Sequence, residues 1–257
     1  MTSSPADSPA SRDRTHYSYA HYADAGVAAG FDALRFGGPI GGYLLRTQAA
    51  IVSDALAPIA GRHVLDVGTG TGRAAIGLAV DGASVIGLDA SGEMLQVARA
   101  RAAEAGTASR VSFAVADGHR LPLADASVDA AVCFRVLMHA IDWRVCVAEL
   151  CRVARWRVVI DFPARPSIAA LESAGRRAAH AMGRRVEAYR VMSARDVTDA
   201  FAAHGFRVVS THRQFVLPIA LHKAVGRLGV TERVEGALAR VGLLARFGSP
   251  VTMVAEK

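Results

Sequence analysis

Hydrophobic residues along the middle of the chain alternate between short continuous runs and longer segments in which they recur every three or four positions. The short runs predict five strands, at His63–Val67, Ser84–Asp89, Val111–Ala116, Val128–Phe134 and Trp156–Phe162. The longer segments predict helices at Arg73–Val80, Ser91–Ala105 and Asp142–Val153, with Ser91 as an N-cap candidate. Strands that alternate with helices form a parallel sheet, and continuously apolar strands indicate that both of its faces are covered.

Helical patterns also flank this alternating region. Before it, helices are predicted at Tyr17–Leu34 and Tyr43–Leu56, on either side of a glycine- and proline-rich break at residues 36–42. After it, the pattern predicts helices at Pro166–Met182 and Ser193–His204, a long strand at Phe206–Leu217, glycine-broken helices over Pro218–Phe247 and a strand at Pro250–Glu256. Because no linker-like composition separates these pieces, we expect a single domain.

Composition narrows the class of protein. The 257 residues are 52% hydrophobic and 21% charged, which supplies a core and excludes a wholly disordered, collagen-like or coiled-coil chain. The net charge is +7, and 28 of the 30 basic residues are arginines. These arginines are scattered along the chain, whereas a nucleic-acid-binding tail would concentrate them in a dense run. We therefore interpret most of these arginines as solvated surface residues, and we do not expect a nucleic-acid partner.

The cysteines and the first residues of the chain predict a cytoplasmic location. The cysteines Cys133, Cys146 and Cys151 form no C-x-x-C pair, so we expect neither a disulfide framework nor a metal site. No apolar run reaches the roughly 18 residues that a membrane-spanning helix needs. The first residues lack the charged and apolar regions of a signal peptide, and their Ser, Pro and Ala content predicts a disordered tail over residues 1–14.

A glycine-rich loop follows the first predicted strand and opens the next helix. Gly68, Gly70 and Gly72 let the backbone turn sharply and leave room for a ligand, next to a helix N-terminus with unpaired N–H groups. Arg73 occupies the sixth position, where the dinucleotide pattern G-x-G-x-x-G requires glycine or alanine. Asp89 ends the second strand, 21 residues after Gly68, where a carboxylate accepts both hydroxyls of a ribose.

A second acid precedes the loop and helps to choose between cofactors. Asp66 lies two residues before Gly68, where it would suit a cofactor with a cationic amino group, although it could also cap the loop by accepting backbone N–H bonds. S-adenosylmethionine has a ribose, an adenine and an ammonium group but no pyrophosphate. These residues therefore fit S-adenosylmethionine better than NAD.

Four segments, in this order, resemble the motifs of class I S-adenosylmethionine-dependent methyltransferases: Val64–Arg73, Val85–Met94, Ala116–Leu123 and Ser127–Phe134. The resemblance covers roughly Tyr22 to Asp161 and the final strand. It is greatest to small-molecule enzymes related to the quinone C-methyltransferases. The Asn/Asp-Pro-Pro-aromatic tetrapeptide of nucleobase amino-methyltransferases is missing after the fourth strand, which disfavours a nucleobase nitrogen as the acceptor.

The resemblance implies a fold and a domain plan. The fold class is α/β, with a doubly wound, seven-stranded, mostly parallel sheet whose last strand is antiparallel. Residues 15–257 would form one methyltransferase domain, with a helical cap at 15–60, a cofactor-binding half at 61–162, helical lid segments at 163–204 and 218–248, and final strands at 206–217 and 250–256. The apolar segment 215–247, with interspersed basic residues, is interpreted as a lid over the acceptor in preference to a helix on a membrane surface.

The resemblance also assigns residues to S-adenosylmethionine. Asp89 would bind the ribose, Met94 would pack against the adenine, Asp117 would face its exocyclic amine, and Gly118 would let the ring approach. The expected cofactor-binding residues are Asp66, Gly68, Thr69, Gly70, Gly72, Asp89, Ala90, Met94, Asp117, Gly118, Phe134 and Arg135. Arg46 on the second helix, and the His and Tyr residues between 16 and 22, are further pocket candidates.

Two residues are candidate bases. His139 follows the carboxyl end of the fourth strand, where ligands of open α/β sheets bind, and Asp161 lies at the end of the fifth. Their alternatives are a packed or capping histidine and an aspartate that starts a turn before Pro163. Many relatives carry an acid between the fourth strand and the histidine, where this chain has Arg135.

These residues lead to a hypothesis about function. We expect methyl transfer from S-adenosylmethionine to an oxygen or carbon atom, less readily nitrogen, of a small apolar or aromatic acceptor, by a monomer or homodimer with at most peripheral membrane contact. An RNA or protein methyltransferase of the same fold, and a non-catalytic relative that only binds the cofactor or a partner, remain as alternatives.

Overall fold

The computed structural model describes residues 26, 30, 32, 36–168, 170, 173–176 and 189–257. Several expectations lie outside these residues, namely the tail at 1–14, most of the helix at Tyr17–Leu34 and the end of the helix at Pro166–Met182. The described part contains the whole sheet and the helices that pack on it.

Seven strands form one sheet, in the order β3-β2-β1-β4-β5-β7-β6. Six of them are parallel, and β7 is antiparallel to both of its neighbours. The strands are β1 His63–Val67, β2 Ser84–Asp89, β3 Val111–Val115, β4 Val128–Cys133, β5 Ala154–Phe162, β6 Arg207–Arg213 and β7 Val251–Glu256. The structure confirms the predicted fold class, including the single antiparallel strand at the end of the chain.

Among the described residues, eight helices have defined first and last residues: α1 Gly38–Leu56, α2 Arg73–Val80, α3 Gly92–Glu104, α4 Trp143–Val153, α5 Ala194–Ala202, α6 Ile219–Val225, α7 Leu228–Arg240 and α8 Leu243–Phe247. The predicted cap of α3 is confirmed, because Ser91 Oγ accepts a hydrogen bond of 3.1 Å from the backbone nitrogen of Met94. Helix α1 packs against α6 and α7, which joins the start of the described chain to its final helices.

The core lies on both faces of the sheet. Along β5, Val158 and Ile160 belong to one buried cluster, while Val159 between them belongs to the other. In β1, Val64 and Leu65 divide between the two clusters in the same way. Since successive side chains of a strand point to opposite faces, the continuous apolar runs serve two cores at once.

Helix α1 begins five residues earlier than predicted. The glycine- and proline-rich segment belongs to its first turns, with Gly37 as N-cap and Pro39 in the first turn, where a missing backbone N–H leaves no hydrogen bond unmade. A Cβ atom on Gly41 would lie 2.1 Å from the backbone oxygen of Phe36. The glycine that looked like a helix breaker therefore allows a close backbone contact.

Strand β6 ends four residues before the predicted limit at Leu217. Arg213 is the last residue that pairs with β7, opposite Val251. The backbone nitrogens of Val216 and Leu217 instead donate to the Glu235 carboxylate on α7, at 2.7 and 3.0 Å. The chain thus leaves the sheet after Arg213, because the Glu235 side chain accepts the hydrogen bonds of Val216 and Leu217.

Candidate active site

A cavity opens along the carboxyl ends of β3, β2, β1 and β4. About 1120 Å³ of space lies within it, a volume that includes open solvent at its mouth. Eleven of the fourteen residues that the sequence assigned to the site line it: Gly68, Thr69, Gly70, Asp89, Ala90, Met94, Asp117, Gly118, Phe134, Arg135 and His139. The other three, Asp66, Gly72 and Asp161, lie behind its wall, and Arg46 is not among the lining residues.

The glycine loop forms the floor of the cavity. The backbone nitrogens of Gly68 and Thr69 both donate to the Leu88 carbonyl of β2, at 2.7 and 2.9 Å. Gly68 has φ 69°, and a Cβ atom there would lie 2.0 Å from Val136 Cγ2. Because any side chain at Gly68 would meet both a strained backbone and a collision, the loop requires glycine at this position.

Asp66 connects the glycine loop to the first turn of α2 through hydrogen bonds. Its Oδ2 atom accepts hydrogen bonds from Thr69 Oγ1 at 2.7 Å and from the backbone nitrogen of Ala75, in the first turn of α2, at 3.2 Å. Burial is the largest influence on this carboxyl and raises its pKa to about 6, although both hydrogen bonds oppose the shift. Asp66 therefore fixes the shape of the loop from a position that the cavity does not reach.

Asp89 joins the loop to the helix that follows β2. Its Oδ2 accepts from the backbone nitrogen of Gly70 at 2.8 Å, and its Oδ1 accepts from that of Ser91 at 2.9 Å. Burial raises its pKa above the ordinary value. The carboxylate has four lone pairs against backbone donors at Gly70, Ser91 and Ala90, so it can still accept from a ligand hydroxyl in the cavity.

Asp117 is held by a histidine that the sequence analysis did not select. His119 Nδ1 lies 2.7 Å from Asp117 Oδ1, and His119 Nε2 accepts from the backbone nitrogen of Asp142 at 3.2 Å. Since Nε2 is the acceptor, the network assigns the ring proton to Nδ1, which donates to Asp117. The only sequence signal for this role is the spacing of two residues between Asp117 and His119.

Arg73 also lines the cavity. The sequence analysis considered it only as a mismatch to the dinucleotide pattern and not as a site residue. Its guanidinium carbon lies 3.4 Å from the centre of the Phe36 ring, and its Nε donates to Asp32 Oδ1 at 3.2 Å. Asp32 also accepts from Thr71 and Arg101. Burial lowers the pKa of Arg73 to about 10, so it stays charged at neutral pH. Its Nη1 atom is buried with no hydrogen-bond partner among the described residues.

The end of β4 carries an unusual backbone. Arg135 has φ 62°, a left-handed conformation that is uncommon for a residue with a side chain. Its backbone nitrogen donates to Asp161 Oδ1 at 2.5 Å, and Gln48 of α1 donates to Asp161 Oδ2 at 3.3 Å. Burial raises the pKa of Asp161 to about 6, against the opposing effect of Arg135. Both carboxylate oxygens of Asp161 thus face protein donors.

His139 reaches the cavity from the turn after β4. Its backbone nitrogen donates to the Val136 carbonyl at 2.8 Å, which places the ring one turn beyond the strand end. The residue is buried and lines the cavity together with Phe134, Ala140 and Ile141. A buried imidazole at an apolar wall can accept a proton from a ligand bound beside it.

The described residues form neither a metal-ligand cluster nor a helix long and apolar enough to cross a membrane. No three His, Cys, Asp or Glu side chains in these ranges gather as metal ligands would. Within the same ranges, no helix has the length and apolar character needed to cross a bilayer.

Known proteins share both the sequence motifs and the fold. Residues 65–157 match the methyltransferase domain family. An O-methyltransferase of Penicillium expansum is 39% identical over 101 residues, which are 39% of this chain and 37% of that protein. A demethylmenaquinone methyltransferase of Clavibacter sepedonicus is 40% identical over 108 residues, 41% of this chain and 43% of that protein. The chain thus spans less than half the length of these curated relatives.

A solved structure covers nearly the whole chain. The magnesium protoporphyrin IX methyltransferase of Synechocystis PCC 6803, crystallised with bound S-adenosylhomocysteine, has a TM-score of 0.65 at 20% identity, over 93% of this chain and 99% of that one. At this identity the likeness shows the fold alone. Residues 65–157 thus match the methyltransferase domain family, within a chain that shares the fold of this solved methyltransferase.

Proposed function

We propose that this protein transfers a methyl group from S-adenosylmethionine to an oxygen or carbon atom of a small apolar or aromatic acceptor. The observation that carries the proposal is a single cavity that contains both Asp89, beside the glycine loop, and His139, beside an apolar wall. In the strand order of the sheet, the cavity runs from the ends of β3 and β2 to the end of β4. One ligand at each end would bring a cofactor and an acceptor together.

The chain's own groups fit S-adenosylmethionine. The loop leaves open space at Gly70, where a Cβ atom would meet nothing within 4 Å, and the Asp89 carboxylate can accept from the ribose. Asp117, fixed by His119, offers an acceptor for the adenine amine. At the start of α2, the buried Nη1 of Arg73 calls for an anion, which the carboxylate of the methionine moiety would supply.

The bound cofactor supplies an electrophilic methyl group on its sulfonium, so the protein's task is to position the acceptor and exclude water. Positioning alone can lower a barrier by roughly 7–11 kcal/mol. We assign His139 as the base that accepts the acceptor's proton, because it is buried and lines the cavity. General-base catalysis of this kind contributes about 10²–10⁴-fold.

Asp161 has a different role in this proposal. Its two oxygens accept hydrogen bonds from Arg135 and Gln48, and it lies outside the cavity lining. We assign it as a positioning residue that holds the backbone of Arg135. The side chain of Arg135 lies over the same Phe36 ring as that of Arg73, at 5.6 Å from the ring centre.

The wall at the end of β4 favours an apolar acceptor. Phe134, Val136, Ala140 and Ile141 line this side, and Arg135 adds one positive charge that suits an acceptor with an acidic group. The names of the relatives from Penicillium expansum and Clavibacter sepedonicus support a small-molecule acceptor. No described residue of the segments 163–204 and 218–248 lines the cavity, so the lid role expected for them stays a prediction.

Turnover with radiolabelled S-adenosylmethionine tests the proposal. The purified chain is incubated with a panel of phenols, hydroquinones and hydroxylated polyketides, and, in parallel, with total RNA and with denatured protein. We expect label in an organic-extractable small molecule, and a loss of that label in the His139→Ala variant. Label in RNA or protein would overturn the proposal, and so would tight S-adenosylhomocysteine binding without turnover of any acceptor.

A further inference from the structure

Helix α7 exposes valines to solvent and buries two polar side chains. Val230 and Val234 are 40% and 37% exposed, and Val241, the C-cap residue directly after the helix, is 71% exposed. At about 100° per residue, these three positions lie within roughly 40° on one face of the helix. Thr231 and Glu235, by contrast, are buried at 2% and 9% exposure. The exposed valines and buried polar side chains invert part of the pattern of an ordinary surface helix, whose apolar face packs on the core, although Leu228 and Leu238 are half-buried on the inward side.

A buried polar network fixes this orientation. His222 Nε2 lies 2.8 Å from Glu235 Oε1, and His222 Nδ1 lies 3.1 Å from Thr231 Oγ1. Glu235 also accepts hydrogen bonds from the backbone nitrogens of Val216 and Leu217. Turning α7 to bury its valines would break every one of these bonds, so the outward face is a built feature of the fold.

The preceding helix shows the same inversion. In α6, Leu221 and Val225 are 48% and 45% exposed and one helical turn apart, while His222 between them is buried. We call the outward residues of the two helices the apolar face; it consists of Leu221, Val225, Val230, Val234 and Val241. It contains more than half of the large hydrophobic side chains that are exposed in the described part of the chain.

Positive charge surrounds the apolar face. Residues 219–248 contain five basic residues and two acids, and one of those acids, Glu235, is buried in the network. Arg233 and Arg240 on α7 are exposed, and their positions lie about 60–80° from that of Val230. The other exposed arginines of this region are Arg227, before α7, and Arg246, on α8.

We propose that the α6–α7 pair docks on the surface of a lipid bilayer that contains anionic lipids. The valines of the apolar face enter the boundary between headgroups and acyl chains, and the arginines pair with lipid phosphates. Charge complementarity selects this occupant, because a second copy of the chain would bring the same positive charge to the contact. Docking of this kind is peripheral and requires no membrane-spanning helix.

Sedimentation with vesicles tests the proposal on the full chain. We expect the wild type to sediment with vesicles of phosphatidylglycerol and phosphatidylcholine at low salt, to be released at high salt, and to ignore vesicles of pure phosphatidylcholine. The triple variant V230S/V234S/V241S should lose the binding. The variant R233Q/R240Q should bind about 25-fold more weakly, at about fivefold for each basic residue near an anionic surface.

Matched control variants distinguish binding through the apolar face from the general effect of removing an exposed valine or arginine. Val80 and Arg195 are exposed residues on α2 and α5, so V80S and R195Q should leave vesicle binding unchanged. All variants should keep the wild-type circular dichroism spectrum, since the substituted side chains are exposed. No binding to anionic vesicles at low salt would overturn the proposal, as would equal loss in the control variants. A stable dimer that V230S/V234S/V241S dissociates would overturn it too, by assigning the face to a second copy.

Discussion

The backbone nitrogen of Arg135 lies 2.5 Å from Oδ1 of Asp161, and this hydrogen bond joins the left-handed turn after β4 to the end of β5. Oδ2 of the same carboxylate accepts from Gln48 of α1. One buried acid thus connects the wall of the cavity to a neighbouring strand and to a helix outside the sheet. The conformation of Arg135, and with it the direction of a cationic side chain in the site, depends on Asp161.

Two substitutions of Asp161 should therefore distinguish the loss of its hydrogen-bond-accepting oxygens from the loss of its negative charge. Asp161→Ala leaves the buried donors of Arg135 and Gln48 unpaired, at about 1–3 kcal/mol for each group, and we expect both lower stability and slower methyl transfer. Asp161→Asn retains an acceptor oxygen and should keep most of the activity at neutral pH. Chemical denaturation and steady-state kinetics measure the two effects. A D161A variant as active as the wild type would refute the positioning role.

The raised pKa of Asp161, about 6 against 3.8 in the unfolded chain, predicts a pH dependence of stability. Between about pH 4 and pH 6 the folded protein retains a proton that the unfolded chain has released. The free energy of unfolding then falls as pH rises, by up to about 1.4 kcal/mol per pH unit from this group. The stabilisation is complete below about pH 4 and is lost above about pH 6.

Comparison with D161N isolates this contribution, because other groups keep their own dependence. Asp66 has a similarly raised pKa, whereas Arg152 lowers the pKa of Glu149. Denaturation at several pH values should show D161N gaining stability relative to wild type as pH rises from about 4 to about 6. A difference that stays constant over this range would exclude a raised pKa for Asp161.

The hydrogen bond between His119 and Asp117 should influence affinity for adenosyl compounds. His119→Ala removes the side-chain donor to Asp117 Oδ1 and leaves only the backbone nitrogen of residue 119 donating to it, so we expect binding of S-adenosylhomocysteine to weaken by about 0.5–1.5 kcal/mol. His119→Asn places an amide nitrogen near the position of Nδ1 and should restore much of the affinity. Calorimetry on both variants checks this, with His204→Ala as a control at a histidine outside the cavity. Equal weakening in H119A and H119N would point to lost packing instead.

His139→Gln should affect the reaction much more than cofactor binding. As the proposed base, His139 contributes about 10²–10⁴-fold to the rate, and kcat should fall by that factor while affinity for S-adenosylhomocysteine stays within a few-fold of wild type. A variant with unchanged kcat would show that the acceptor reacts without a base at this position.

Much of the cavity lining could be predicted because its signals are local in sequence. The spacing of Gly68, Gly70 and Gly72, the acid at the end of β2 and the run of alternating elements each reflect backbone constraints within a few residues. Eleven assigned residues consequently line one cavity. Gly72 was assigned to the ligand, but it lies against α3, where a Cβ atom would be 3.0 Å from that of Ala98.

The remainder depends on contacts between distant parts of the chain. The partners of Asp161 are 26 and 113 residues away, so no local pattern shows that both of its oxygens are engaged. The end of β6 is set by Glu235, about 20 residues later. The Arg73 site needs Asp32 and Phe36, which only the folded chain brings beside the glycine loop.

Calorimetric titration with S-adenosylhomocysteine and with NAD tests the central claim most directly. We predict micromolar binding of S-adenosylhomocysteine and no binding of NAD, because the loop presents Arg73 where the dinucleotide pattern requires glycine or alanine. Asp89→Ala should weaken S-adenosylhomocysteine binding by about 1–3 kcal/mol for each group left unpaired, whereas Asp81→Ala, at an exposed acid beyond α2, should leave it unchanged. Binding of NAD without binding of S-adenosylhomocysteine, or wild-type affinity in D89A, would contradict the account.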